Sequence, residues 1–120
     1  MDLNLLANQL YEEMFHRSLN VPVEFLETRW LGEVCSRLEK TTNERIPTKI
    51  VINKSLKDSD KLEFILRHEL IHVYLIKTEN HAGHGCSFRK LADKWGLVSI
   101  SPKGRKLYAT LYPQALDQTI

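Results

Sequence analysis

His68, Glu69 and His72 stand in the stretch HELIH. Histidines four residues apart on a helix project from one face. Two imidazoles one turn apart can take two corners of a tetrahedral shell with N–metal distances of about 2.0–2.1 Å. Glu69 lies beside the same face, where its carboxylate reaches a water at the metal rather than the metal. The pattern is H-E-x-x-H: two ligands and a general base. Placement sharpens it. The three polar residues lie between Ile65 and Ile76 on a stretch that is otherwise apolar nearly all round. Burying two histidines and a carboxylate without partners costs several kcal/mol. A metal supplies the missing partner.

A catalytic zinc takes a third protein ligand and keeps one position open. The continuation H-E-x-x-H-x-x-G-x-x-H fails, because Leu75 and Thr78 stand where glycine and histidine are required. Asp93, on the following helix, is one candidate. Glu79 is a poorer one, being close to the end of the first helix. His81 and His84 both sit in the turn ENHAGHG, where Gly83 and Gly85 are expected to let the chain reverse and present a side chain to the first helix. Residue chemistry alone leaves the choice open.

HELIHVYL followed by GHGCSF resembles the SprT-like metalloproteases, Spartan among them. Their signature is an H-E-[LM]-x-H helix and then a loop ending in G-H-G-x-x-F. Gly83, His84, Gly85 and Phe88 match in order. The resemblance spans residues 3 to 96, and its specific part runs from 62 to 92. It implies a zincin-like minimal protease core of α+β class, with His84 joining His68 and His72 on one zinc ion per chain. It also implies Glu69 as the base in zinc-assisted amide hydrolysis of protein substrates. Relatives act on proteins attached to DNA, and single-stranded DNA commonly activates them. DNA-bound or DNA-crosslinked proteins, in a DNA-repair setting, are therefore the expected substrates. Many relatives carry a cysteine-rich zinc ribbon, whereas Cys35 and Cys86 stand alone here. The competing reading is a catalytically idle, metal-containing module that binds DNA or protein. Intact Glu69 argues against it, since a structural site needs no base.

The elements that must position these residues follow from patterning. Leu3, Leu6, Leu10, Met14 and Phe15 fall near helical spacing, so residues 3 to 17 read as an amphipathic helix that Asn20 to Pro22 break. The next segments, VPVEFLETRWLGEVCSRLEK and IPTKIVINKSL, are richer in β-branched and aromatic residues. They read as a small antiparallel or mixed sheet of up to three strands, the last being Lys49 to Asn53, with Gly32 and TTNERIP as breakers. A long central helix follows, with Asp58 or Ser59 as N-cap and a narrow wet stripe through Glu63, Arg67 and Tyr74. Tyr74 points away from the histidine face, and His81 is a candidate donor at the rim. A second helix begins at Cys86, carries the third ligand at its start and stops at Gly96.

At 120 residues, with 42% apolar and 27% charged residues, the chain reads as a single SprT-like domain over 1–120. Its basic, partly irregular tail starts near residue 97, and no ribbon is expected. The start lacks the basic segment and cleavage site of a signal peptide, so a cytoplasmic, intracellular location is expected, nucleoid-associated if DNA is a partner. The net charge of +2 hides an asymmetry: residues 84–108 carry +5 and the remainder −3. Arg89, Lys90, Lys94, Lys103, Arg105 and Lys106 form this run and could meet phosphate backbones, with Trp95, Tyr108 and Tyr112 as stacking surfaces. The plainer reading is a solvated helix face and a basic loop, with Trp95 in the core. No membrane span is expected.

Overall fold

The computed structural model describes residues 2–81 and 83–97. Lys103, Arg105, Lys106, Tyr108 and Tyr112, and with them half of the basic run, lie outside the described residues. Three helices and one sheet follow in the order α1 (Leu3–Phe15), β1 (Val23–Leu26), β2 (Gly32–Glu39), β3 (Glu44–Asn53), α2 (Leu62–Glu79) and α3 (Cys86–Lys94). A short 3-10 turn, Lys54–Leu56, links β3 to α2. The class is α+β, as expected.

The α1 helix starts at Asp2, whose Oδ1 accepts from the Leu5 backbone N–H at 3.1 Å. It ends two residues earlier than the apolar spacing predicts. His16 takes a left-handed conformation, φ 55°, and turns the chain away. Leu3, Ala7, Leu10, Tyr11 and Met14 form its buried face.

The sheet is mixed, in the order β1-β3-β2, with β1 parallel to β3 from Val23↔Ile50 and β2 antiparallel to it. The central strand carries the most apolar run, Ile50–Val51–Ile52, all buried. Two expected breakers are not breakers. Gly32 is the first residue of β2, and Glu44 through Pro47 belong to β3. The turn is Lys40 to Asn43, and Asn43 supplies the left-handed residue, φ 59°.

The α2 helix packs on β3, β2, α1 and α3. That explains why its apolar residues run round most of the circumference. Its start differs from expectation: Lys61 is the cap position, with no side-chain cap bond, while Ser59 Oγ accepts from the Lys61 N–H at 3.1 Å. The wet stripe is narrower too. Tyr74 is half-buried and stacks on Phe15, with centroids 4.0 Å apart and planes 5° off parallel. The side chain of Arg67 is mostly covered and bonds Glu63 at 2.9 Å and Glu13 at 3.1 Å. Among the described residues, no helix is long and apolar enough to cross a membrane.

Candidate metal centre

His68, Glu69 and His72 are all buried on α2, the histidines against Phe88 of α3 and Glu69 against Gly32 of β2. His84 comes to them from the loop before α3, not from the start of the helix as expected, because α3 begins only at Cys86. Asn80, in a left-handed conformation (φ 51°), ends α2 and donates its backbone N–H to Ile76 O. The Asn80 bond is that of an αL cap, and His81 N–H bonds Leu75 O at 3.3 Å beside it. The Asn80 side chain then holds the β2–β3 hairpin: Oδ1 accepts from Arg45 N–H at 2.7 Å and Nδ2 donates to Asn43 O at 3.3 Å. Ser87 Oγ meets Glu79 Oε1 at 3.1 Å and ties the first turn of α3 to the last turn of α2. Asn80, rather than Gly83 or Gly85, therefore reverses the chain. Neither glycine has a positive φ.

The three imidazoles converge through their Nε2 atoms. His84 Nε2 lies 3.1 Å from His72 Nε2 and 3.3 Å from His68 Nε2. The three residues form a group able to hold a metal ion. Hydrogen bonding alone serves this cluster badly. A neutral imidazole carries one N–H, and His72 Nδ1 is buried with no partner. A tetrahedral ion with bonds of about 2.0–2.1 Å separates its nitrogen ligands by about 3.3–3.4 Å, close to both observed contacts. The residues fit an ion.

Burial sets the protonation states. It holds His68 well below the usual imidazole range, with the charges of His72 and His84 adding to the effect. It also brings His72 down to about 3, helped by His84 and His81. At neutral pH both rings are uncharged, the form that binds metals. Burial, and then the Glu33 charge, pushes the Glu69 carboxyl well above the carboxylate range. Glu69 Oε1 lies 3.8 Å from His68 Nε2, and with His68 neutral this contact is no ion pair. Oε2 is buried without a partner. A carboxylate with an uncommitted oxygen beside three imidazole donors is equipped to take up a proton.

A family comparison decides the kinship, for the model of the SprT-like family matches residues 4–110. The chain belongs to the SprT-like family. A search of the curated proteins finds no match. The family motif G-H-G-x-x-F takes on a physical meaning here. Phe88 is buried one helical turn after His84, and its ring packs against all three histidines, with centroids 4.9 Å from His68, 4.6 Å from His72 and 4.8 Å from His84. It closes the apolar side of the centre and fixes the ring planes. Sequence reading matched Phe88 to the motif without giving it this role.

The other candidates fall elsewhere. His81 and Asp93 are exposed and stand outside the histidine group. Arg89, Lys90 and Lys94 are exposed on α3. Trp95 is half-buried against the core, with the Arg67 guanidinium 5.6 Å from its ring centre. It is a packing residue, as the plainer reading held.

Proposed function

We propose that this SprT-like protein is a zinc-dependent peptidase acting on protein substrates. His68, His72 and His84 hold the ion, and Glu69 is the general base. The observation that carries this reading is the convergence of three Nε2 atoms at 3.1 and 3.3 Å beside a buried carboxylate with a free oxygen. Zinc suits three neutral imidazoles with an open position, and when bound it polarises the scissile carbonyl and acidifies water.

The residues do the rest. Glu69 takes a proton from the attacking water and hands it to the amine that leaves as the C–N bond breaks. Burial, which makes the ionised carboxylate costly, favours that uptake. Phe88 shields the rear of the histidines from solvent, and Asn80 with Ser87 keeps His84 in register with α2.

DNA-bound proteins are the substrates we infer, in an intracellular setting. The support is the row of exposed cations, Arg89, Lys90 and Lys94, on the helix that directly follows His84. Single-stranded oligonucleotide binding tests that part. It should weaken when these three become Ala, and again when Arg105 and Lys106 do. Unchanged binding in both variants removes DNA from the reading and leaves the peptidase.

The first test is metal content per chain in wild type, His84→Ala and His81→Ala, purified together. About one zinc in wild type and His81→Ala, with a sharp loss in His84→Ala, is the expected result. Retention in His84→Ala contradicts the ligand set. Protein cleavage lost in Glu69→Gln with zinc retained completes the case. Zinc bound by both forms with no cleavage by either identifies a binding module instead.

A further inference from the structure

Resting on the peptidase reading, we propose that Gly32 is a positioning residue for Glu69. The first position of β2 lacks a side chain because the Glu69 carboxylate occupies the space one would fill.

Glycine weakens a strand, and inside one it marks a close approach. Gly32 is buried and paired in register with Ile52. Its backbone does not call for glycine, since among the described glycines only Gly96 has a positive φ. Space does. A methyl placed on Gly32 would lie 3.1 Å from Glu69 Cγ, 3.2 Å from Ile65 Cγ2 and 3.3 Å from Glu69 Oε1. Carbon atoms in comfortable contact stand about 3.5–4.0 Å apart. At the other described glycines the same methyl meets nothing closer than 3.4 Å. The crowding is particular to residue 32.

What would yield is the side chain of Glu69. Ile65 lies one helical turn before it, is buried, and as a β-branched residue on a helix keeps essentially one χ1 rotamer. Gly32 is tied into the sheet on one side, and α2 is packed on several elements. Glu69 has more torsional freedom than either. Its Oε1 faces both the niche and His68 Nε2 at 3.8 Å, so displacement from the niche changes the distance from carboxylate to metal centre. Residue 32 thus sets how deep the base sits. The three atoms nearest the added methyl belong to Glu69 and Ile65, and none to a histidine ligand.

The test is Gly32→Ala in the full chain, read in three ways. Zinc content should stay at the wild-type level. kcat should fall about tenfold to a hundredfold with KM within about twofold, the scale of a small misplacement of a reacting group. Independently of turnover, the loss in Tm caused by Gly32→Ala should shrink to less than half when the substitution is made on Glu69→Ala, which removes Cγ and the carboxylate. Wild-type turnover in Gly32→Ala, or equal Tm losses in the two backgrounds, overturns the inference and leaves the peptidase reading intact. A zinc-loaded wild type that cleaves no protein overturns the peptidase reading, and the paired Tm measurement still decides what Gly32 touches. If Gly32→Ala alone does not fold, recovery of folding on Glu69→Ala supports the contact, and failure in both refutes it.

Discussion

The two flanks of α2 bury polar groups in opposite ways. Toward α1, polar side chains meet partners the chain provides, although Arg67 Nη1 is buried without one. Arg67 bonds Glu13 and Glu63, and Lys77 bonds Leu19 O and lies 5.7 Å from the Tyr11 ring centre. Tyr74 stacks on Phe15. Toward α3 and β2, His68, Glu69 and His72 are more deeply buried, yet His72 Nδ1 and Glu69 Oε2 have no partner. One flank is finished by folding. In the reading proposed above, the other is finished by an ion and a substrate. Stability and function should therefore separate along this helix.

The sharpest break comes from the ligands. His72→Ala should remove the metal and take protein cleavage to background, as measured by elemental analysis and a proteolysis assay. In wild type, zinc at about a thousand times its Kd should stabilise the fold by about 4 kcal/mol. In His72→Ala the same addition should do almost nothing. Equal stabilisation of both would show that the ion binds elsewhere and would dissolve the contrast.

Glu69→Gln comes next. General base catalysis is worth about 10²–10⁴-fold, so kcat should drop by that range while zinc content and Tm hold. A variant that loses zinc along with activity would make Glu69 a ligand and not a base.

Much of the α3 flank was legible in the sequence, because its chemistry is local. His68, Glu69 and His72 share one helical turn, and His84 follows within sixteen residues in a recognisable motif. The long α2 showed in its apolar residues, and the last strand in IVIN. What escaped depends on partners distant in sequence. Gly32 read as a breaker because nothing near it announces Glu69, thirty-seven residues on, as its neighbour. Tyr74 read as wet because its partner, Phe15, lies on another helix. Spacing places the chain reversal at Gly83 and Gly85, whereas Asn80 makes it and uses its amide to hold the hairpin. Spacing reveals which residues share a face, but not which face each element meets.

The α1 flank predicts the complementary result. Leu10 is buried on α1, so Leu10→Ala should cost about 2–5 kcal/mol in denaturant unfolding. Its zinc affinity and turnover per bound zinc should match wild type under conditions where it is folded. Loss of zinc affinity in step with stability would mean that the two flanks form one cooperative unit.

The smallest effect separates the flanks by pH. Burial pushes the Tyr11 hydroxyl up to about 12 from the ordinary phenol value of 10, the charges of Arg17 and Tyr74 being smaller influences. A group whose pKa is raised on folding contributes stability below its unfolded value and loses it as pH climbs toward the folded one. For Tyr11 that window runs from 10 to about 12. At pH 11, one unit into it, the cost is about 1.4 kcal/mol. Tyr11→Phe has no proton to lose, so comparing its unfolding free energy with wild type at pH 9 and pH 11 should show the wild type losing that much more. Zinc content at pH 9 should be the same in both. An equal alkaline loss in both proteins would place the sensitive group elsewhere, and a change in zinc at pH 9 would tie the α1 flank to the metal centre after all.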